Sequence, residues 1–321
     1  MRLVLCYPVQ DRHLRQIEAA APEFEVVDAG QQGVARGLLA ADLFCGHAKV
    51  PVPWDDVVDE GRLRWIQSSA AGLDHCLVPS VIESDIVVTS ASGVLADQVA
   101  EHTVALLTAT LRSLPTFFQA QRQHEFVRRP TRDLHRTTIG IVGFGGVGRR
   151  VAEVLAPYRT KILATDMFPD DKPDHVAELW PADHLQQLLE QSDIVILCVP
   201  LTDRTRGMIN AAALAQMQPH AVLVNVSRGQ AVVESDLVDA LRNNVLAAAA
   251  VDVTEDEPLA ESSPLWDLPN VIITPHVAGQ SARRIDDMTD FLCENLRRYR
   301  IGEPLRNLVD KQLGFPVPRR E

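Results

Sequence analysis

Residues 138–148 read Thr-Ile-Gly-Ile-Val-Gly-Phe-Gly-Gly-Val-Gly, and this stretch decides the fold. Its first five residues are typical of a buried strand, and residues 149–156 have apolar residues at helical spacing. The intervening glycines match G-x-G-x-x-G, which permits a tight turn, close approach of a ligand to the backbone, and close packing of helix against strand. Free N–H groups at the helix start favour phosphate. The stretch therefore predicts a dinucleotide-binding loop formed by Gly143, Gly145, Gly146, Val147 and Gly148.

An acidic residue ends the next predicted strand. This strand covers residues 161–165, and Asp166 follows 18 residues after Gly148. A carboxylate at this place accepts hydrogen bonds from a ribose 2′-hydroxyl and repels a 2′-phosphate. Met167 and Phe168 come next, so no basic residue immediately follows. The sequence predicts NAD rather than NADP, although a turn residue at a strand end is the structural alternative for Asp166.

Strand-like and helix-like segments alternate on both sides of this loop, which predicts parallel βα units. In the first part of the chain, strands are predicted at residues 3–7, 25–27, 42–45, 65–67 and 86–89. In the second part, six strands are predicted to form a doubly wound sheet, at residues 138–142, 161–165, 193–199, 221–226, 247–252 and 271–274. One long helix from Asp97 to about Gln123, kinked or capped at Pro115, is either a buried connector or a subunit contact.

Length, charge and cysteine content restrict the class of protein. A chain of 321 residues predicts about two domains, and a net charge of −12 disfavours nucleic acid and anionic lipid as partners. The longest apolar run, residues 245–251, is far short of the ~20 residues that span a bilayer. The five cysteines are scattered and form no C-x-x-C pair, which favours a reducing cytoplasm over disulfides or a zinc site. We expect a cytoplasmic protein without a metal.

Three charged residues follow three later strands of the second part. Arg228, Glu257 and His276 come after residues 221–226, 247–252 and 271–274, and the carboxyl ends of parallel strands share one edge of a sheet. Each has an ordinary alternative: a surface salt bridge, a solvated acid, a structural histidine. Beside a nicotinamide, however, they form a set that could reduce a 2-oxo acid. An imidazole can donate the proton, a carboxylate can orient the imidazole, and a guanidinium can bind the substrate carboxylate and polarise its carbonyl.

The sequence resembles the D-isomer specific 2-hydroxyacid dehydrogenase family over essentially its whole length. The matching motifs are residues 143–148 with Asp166, residues 224–229 (VNVSRG), residues 250–253 (AVDV) with Glu257 and Pro258, and residues 268–276 (LPNVIITPH). The resemblance implies a Rossmann nucleotide domain, residues 99–286, inserted into a flavodoxin-like α/β substrate domain, residues 1–98 and 287–321. It further implies a homodimer without a C-terminal regulatory domain.

The resemblance also implies roles for individual residues. Arg228, Glu257 and His276 correspond to the catalytic set, and residues 69–74 correspond to a loop whose N–H groups hold the substrate carboxylate. The substrate would therefore be bound by Ala70, Ala71, Gly72 and Arg228. Beyond the glycine loop and Asp166, the cofactor would be lined by Val199, Pro200, Val226, Ser227, Asp252, His276 and Gly279. Glu101 and His102 also match the family and are interpreted as structural.

The leading hypothesis is an NAD-dependent enzyme that interconverts a 2-oxo acid and a D-2-hydroxy acid, with small substrates such as glyoxylate or hydroxypyruvate favoured. Formate dehydrogenases resemble this family but carry Gln where Glu257 stands, so Glu257 argues against that activity. An alternative from another class is an NAD-sensing binding protein of the co-repressor type, which shares the fold and recruits partner peptides.

Overall fold

The chain forms two units, each built on its own parallel sheet. A computed structural model describes residues 1–317. The first unit comprises Met1–Leu95 and Ser281–Glu321, and the second unit comprises Ala96–Gln280. The family resemblance implies these two boundaries after residues 98 and 286, whereas the structure has them after Leu95 and Gln280.

The first unit contains a five-stranded parallel sheet in the order β2-β1-β3-β4-β5, which is the flavodoxin-like order. Its strands are β1 (Arg2–Leu5), β2 (Glu25–Asp28), β3 (Leu43–Gly46), β4 (Trp65–Ser68) and β5 (Val87–Thr89). Its helices are α1 (Asp11–Ala20), α2 (Gly30–Leu38), α3 (Trp54–Asp59), α4 (Pro79–Glu83) and, from the second segment, α11 (Arg284–Ile301). A short antiparallel pair, β13 (Val309–Asp310) and β14 (Phe315–Pro316), follows α11.

The second unit contains a seven-stranded parallel sheet. Its strands are β6 (Thr138–Val142), β7 (Lys161–Asp166), β8 (Glu178–Pro181), β9 (Ile194–Leu197), β10 (Val222–Asn225), β11 (Ala248–Val251) and β12 (Val271–Ile273). Its helices are α5 (Ala96–Leu111), α6 (Leu114–Arg122), α7 (Gly146–Leu155), α8 (Leu185–Gln191), α9 (Ala211–Leu214) and α10 (Glu234–Arg242). The order β12-β11-β10-β9-β6-β7-β8 is that of a Rossmann sheet with one strand added after the sixth.

Alternating side chains of single strands enter separate cores on the two faces of the second sheet. In β9, Ile194 and Ile196 pack with residues of α5 and α7, whereas Val195 and Leu197 pack with residues of α8 and α10. Because all four residues are buried, the strand is a continuous apolar run rather than an alternating one. Helices thus cover both faces, and the predicted doubly wound α/β fold is confirmed.

Two elements differ from the sequence prediction. The sheet has seven strands rather than six, because β8 was missed; it is an edge strand in which no residue is fully buried. The helix predicted from Asp97 to Gln123 is two helices. Ser113 adopts a left-handed φ of 54° between them, and Pro115 lies in the first turn of α6, where its missing N–H removes no helical bond.

Helix α5 belongs to the interior of the second unit. Ala100, Leu106, Leu107 and Leu111 are buried in the same core as β6 and α7, so the buried interpretation is right for these residues. Within the described residues, no helix combines the length and apolar character needed to cross a bilayer.

Candidate active site

The glycine loop follows β6 and is closely packed on its inner side. Gly143 has a left-handed φ of 91°, and a Cβ there would lie 2.8 Å from the Cys198 carbonyl carbon and oxygen. A Cβ at Gly148 would lie 2.1 Å from the Gly143 oxygen. At Gly145, by contrast, nothing lies within 4 Å of the position that a Cβ would take. The loop is therefore closed towards the sheet and open on the other side, which suits a phosphate approaching the start of α7.

The Asp166 carboxylate is fixed against this loop. Strand β7, which ends at Asp166, lies beside β6 in the sheet. One carboxylate oxygen of Asp166 accepts the N–H of Phe144 at 2.6 Å, and the other accepts the N–H of Phe168 at 2.8 Å. Both oxygens are held by backbone groups, so the negative charge has a defined place next to the phosphate loop.

The parallel sheet brings the other predicted cofactor residues to the same edge. Because all seven strands run in one direction, every residue that follows a strand lies at the carboxyl edge, where ligands bind in open α/β sheets. After β9, β10, β11 and β12 these residues are, in order, Val199 and Pro200, Val226 and Ser227, Asp252, and His276. Gly279 lies three residues beyond His276.

His276 and Glu257 are in direct contact. The Nδ1 of His276 lies 2.7 Å from a carboxylate oxygen of Glu257. The other oxygen of Glu257 accepts the N–H of Thr254 at 3.3 Å. The His276 side chain is 48% exposed, so one nitrogen of its ring contacts Glu257 while the ring remains accessible.

The loop that carries Arg228 closely approaches the loop that carries Glu257. A Cβ at Gly229 would lie 1.8 Å from the carbonyl oxygen of Thr254, so only glycine permits this contact. The segment that carries Arg228 therefore packs against the loop that carries Glu257. The Nη1 of Arg228 donates to the Ser227 carbonyl at 2.8 Å. The sequence motif had included Gly229, but its packing role depends on a loop 25 residues further along the chain.

Asp252 lies beneath the turn that carries His276. It is 1% exposed, and its carboxylate accepts the N–H groups of Val277 at 2.9 Å and Ala278 at 2.8 Å. Thr274 and His102 also reach this carboxylate. Sequence reasoning did not single out Thr274 and treated His102 as structural; the position of Thr274 at the end of a strand was the available signal.

The predicted substrate loop lies in the first unit and follows β4. Ser68 Oγ accepts the N–H of Ala70 at 3.1 Å, and the carbonyl of Ala70 accepts the N–H of Ala91 at 3.1 Å. Ala71 is exposed, and Gly72 is partly exposed. The loop is thus anchored through Ala70 while the two following residues face outward.

Comparison with known proteins identifies the family. A family model described as D-isomer specific 2-hydroxyacid dehydrogenase, NAD binding domain, matches residues 104–278. The chain is 34% identical to a glyoxylate reductase of Pyrococcus furiosus over 263 residues, 78% of this chain and 77% of the relative. It is 31% identical to a glycerate dehydrogenase of Methylorubrum extorquens over 272 residues, 82% of this chain and 83% of the relative.

A solved structure is similar over nearly the whole chain. It is a D-isomer specific 2-hydroxyacid dehydrogenase of Xanthobacter autotrophicus Py2 in complex with NADPH and MES, with a TM-score of 0.83 and 28% identity, covering 98% of this chain and 99% of that one. The fold and these similarities thus assign the chain to a nicotinamide-dependent class of oxidoreductases. The chain is a member of the D-isomer specific 2-hydroxyacid dehydrogenase family.

Proposed function

We propose that the protein is an NAD-dependent enzyme that interconverts a 2-oxo acid and a D-2-hydroxy acid, with His276 as the general acid and base. The observation that carries this proposal is the 2.7 Å contact between His276 Nδ1 and Glu257, at the carboxyl edge of the dinucleotide-binding sheet. An imidazole oriented by a carboxylate is suited to moving a proton near neutral pH.

The contact with Glu257 determines which ring nitrogen does the chemistry. A carboxylate accepts hydrogen bonds, so His276 Nδ1 carries a hydrogen and donates it to Glu257. Nε2 is then the atom that gives a proton to the carbonyl oxygen during reduction and takes it from the hydroxyl during oxidation. Glu257 thereby fixes the tautomer and the orientation of the ring.

The residues at the edge of the sheet fit a nicotinamide dinucleotide. The closed inner side and open outer side of the glycine loop suit the pyrophosphate, and Asp166 suits a ribose with free hydroxyls. The cofactor would be lined by Val199, Pro200, Val226, Ser227 and Gly279. Asp252 would lie near the nicotinamide carboxamide. When bound, the nicotinamide supplies or accepts the hydride.

Substrate binding is proposed to use two groups of residues. The guanidinium of Arg228 would bind the substrate carboxylate and polarise the carbonyl. In the first unit, the backbone N–H groups of Ala71 and Gly72 would donate to the same class of carboxylate, because the N–H of Ala70 already donates to Ser68 Oγ. Small 2-oxo acids such as glyoxylate and hydroxypyruvate are the favoured substrates, and the relatives named glyoxylate reductase and glycerate dehydrogenase support that choice.

A panel of 2-oxo acids tests the activity. The protein is mixed with NADH and each acid in turn, and kcat/KM is obtained from the loss of absorbance of the reduced nicotinamide. We expect turnover with at least one small 2-oxo acid and formation of the D-product. Saturable NADH binding without turnover of any acid would instead support the sensor of the co-repressor type.

The choice of NAD over NADP is proposed from Asp166. Its carboxylate is held by the N–H groups of Phe144 and Phe168, so it cannot easily turn away from a 2′-phosphate. Arg149 is a nearby cation, but its guanidinium lies over the Phe144 ring and donates to the carbonyls of Asp170 and Asp171. The Xanthobacter structure contains NADPH, so this chain is expected to differ from that relative.

The cofactor preference is measured as kcat/KM for NADH and NADPH. We expect NADH to be preferred, and Asp166→Ser to raise the NADPH to NADH ratio at least tenfold, since removing the charge removes the repulsion. Asp174→Ser is the matched control, because Asp174 is an exposed acid in the following loop. A parent protein that used NADPH at least tenfold better than NADH would contradict this assignment.

A homodimer is proposed from apolar side chains that remain exposed around α6. Phe118 is 56% exposed and Phe126 is 94% exposed, and Leu114 and Val127 are exposed beside them. Large exposed apolar side chains that cluster are typical of protein–protein contacts. Sedimentation equilibrium should give twice the chain mass, and Phe118→Asp should shift the protein towards the monomer.

A further inference from the structure

A buried carboxylate holds the turn that presents His276. In addition to the Val277 and Ala278 N–H groups on its side chain, Asp252 accepts the His276 N–H on its backbone carbonyl at 2.7 Å. His276 has a left-handed φ of 53°, a conformation that residues other than glycine rarely adopt. Three hydrogen bonds to one residue therefore fix three consecutive residues, of which the first is strained.

Helix α5 supplies a histidine to this carboxylate. The Nε2 of His102 lies 2.9 Å from Thr274 Oγ1 and 3.3 Å from Asp252 Oδ1. The Thr274 hydroxyl donates to the same Asp252 oxygen at 2.6 Å. A hydroxyl has only one proton, so Thr274 must accept from His102. His102 Nε2 therefore carries a hydrogen, and the donors run in a chain from His102 through Thr274 to Asp252.

The two ends of this chain of donors differ in rigidity. His102 lies in the second turn of α5, a 16-residue helix that packs against α7, β10, β11 and β12. Residues 274–278, in contrast, are outside regular secondary structure. His102 thus connects an irregular turn to a packed helix, and sites are more accurately held when regular elements support them.

We propose that His102 is a positioning residue for His276. Through Thr274 it fixes the Asp252 carboxylate, and through Asp252 it maintains the left-handed turn from which His276 reaches Glu257. The inference rests on the proposed function, because it assigns His102 a part in the same proton transfer. His102 does not itself touch the reacting atoms in this proposal.

Three variants separate positioning from general stability. His102→Leu removes the donor, His102→Gln keeps an N–H donor on a side chain of similar length, and Thr274→Val removes the connecting hydroxyl. We expect His102→Leu to lower kcat by about 10–100-fold, the usual effect of losing a supporting hydrogen bond around a reactive group. NADH Kd should change by less than about threefold, and His102→Gln should stay within about threefold of the parent kcat.

A double variant tests whether the two residues act in one chain. If His102 acts through Thr274, combining His102→Leu with Thr274→Val should lower kcat no further than the more damaging single change. If the effects of the two single substitutions on kcat multiply in the double variant, the residues act separately and the inference is overturned.

Hydrogen exchange supplies a measurement that does not depend on activity. In the protein without cofactor, His102→Leu should speed amide exchange in a peptide containing Val277 and Ala278, and His102→Gln should leave the exchange rate unchanged.

The inference is overturned if the fully folded His102→Leu variant keeps kcat within twofold of the parent. It is also overturned if His102→Gln lowers kcat as much as His102→Leu does. If His102→Leu does not fold, Thr274→Val provides the same comparison. If the parent protein is inactive on every 2-oxo acid, the proposed function is wrong. The exchange experiment then still tests whether His102 holds the turn that carries His276.

Discussion

At the scale of single residues, replacing His276 and replacing Arg228 should impair catalysis in different ways. His276→Ala removes the proton donor, so kcat should fall by about 10²–10⁴ while NADH binding, measured by fluorescence titration, changes little. Arg228→Ala should raise the KM for the 2-oxo acid as well as lower kcat, since the guanidinium is proposed to hold the substrate in both the ground state and the transition state.

The control for this pair is His184→Ala. His184 is exposed and paired with Asp183, another exposed residue, and it was not assigned to the site. This variant should keep the parent kcat and KM. Near-normal turnover in both His276→Ala and Arg228→Ala would mean that the assigned roles are wrong.

Residues of the site could be predicted from the sequence to the extent that their roles are local. The glycine loop and Asp166 belong to consecutive strand–loop–helix segments, so their spacing and local context were sufficient to predict them. The pairing of Glu257 with His276 was predicted because both follow strands of one parallel sheet, whereas the left-handed backbone at His276 was not predicted, since no residue pattern encodes it. The contact of His102 with Thr274 joins residues 172 positions apart, and no local pattern points to it.

At the scale of secondary-structure elements, Asp193 joins two neighbouring strands at their starts. Its carboxylate accepts the N–H of Thr138 at 2.7 Å and contacts His220 Nε2 at 2.6 Å. Burial raises the pKa of Asp193, but these two hydrogen bonds outweigh burial, and the pKa lies below its ordinary value of 3.8. A carboxyl group whose pKa is lowered on folding stabilises the fold above its unfolded pKa, and this stabilisation is lost as the pH falls through the folded pKa.

Asp193→Asn should therefore destabilise the protein by an amount that depends on pH. We expect the free energy of unfolding to fall by about 1.5–3 kcal/mol at pH 7, the size of a hydrogen bond to a charged group. The difference from the parent should shrink once the pH is below about 4. Urea unfolding at pH 7, 5 and 3.5 measures this difference in the free energy of unfolding. The control is Asp183→Asn, which changes an exposed side chain and should have little effect on stability at any of these pH values. An unchanged difference at pH 3.5 would mean that the charge of Asp193 is not the cause.

The elements missed from the sequence lack the hydrophobic pattern from which strands and helix ends are predicted. Strand β8 has a neighbour on one side only and no fully buried residue, and it ends at Pro181, so it has neither an apolar run nor a clean alternation. The break between α5 and α6 arises from a single left-handed residue, Ser113. Strands buried on both faces, such as β9, were predicted because burial itself requires the apolar run that the sequence displays.

At the scale of the whole molecule, alternation along the chain was sufficient to predict two parallel sheets, because parallel strands require a crossover between them. The order of strands within each sheet was not contained in that alternation. The observed orders place the proposed cofactor residues at the carboxyl edge of the second sheet and the proposed substrate loop at the carboxyl end of β4 in the first.

Four of the five cysteine thiols are buried and Cys198 is partly buried, which should make the folded protein slow to react with thiol reagents. Burial raises the pKa to about 12 for Cys6, Cys76 and Cys198 and to about 11 for Cys293, and it raises the pKa of Cys45 well above the ordinary range. Because the thiolate is the reactive form, little of it is present at pH 8.

Mass spectrometry after brief treatment with iodoacetamide at pH 8 should accordingly show almost no labelling of the native protein and five labels after unfolding in urea. Cys198 is the one thiol that is only partly buried, so slow labelling should begin there. It lies behind the glycine loop, where its backbone carbonyl meets Gly143. NADH should slow its reaction if the dinucleotide binds at that loop. Fast stoichiometric labelling of Cys45 or Cys293 would contradict the packing of the first unit, in which both are fully buried.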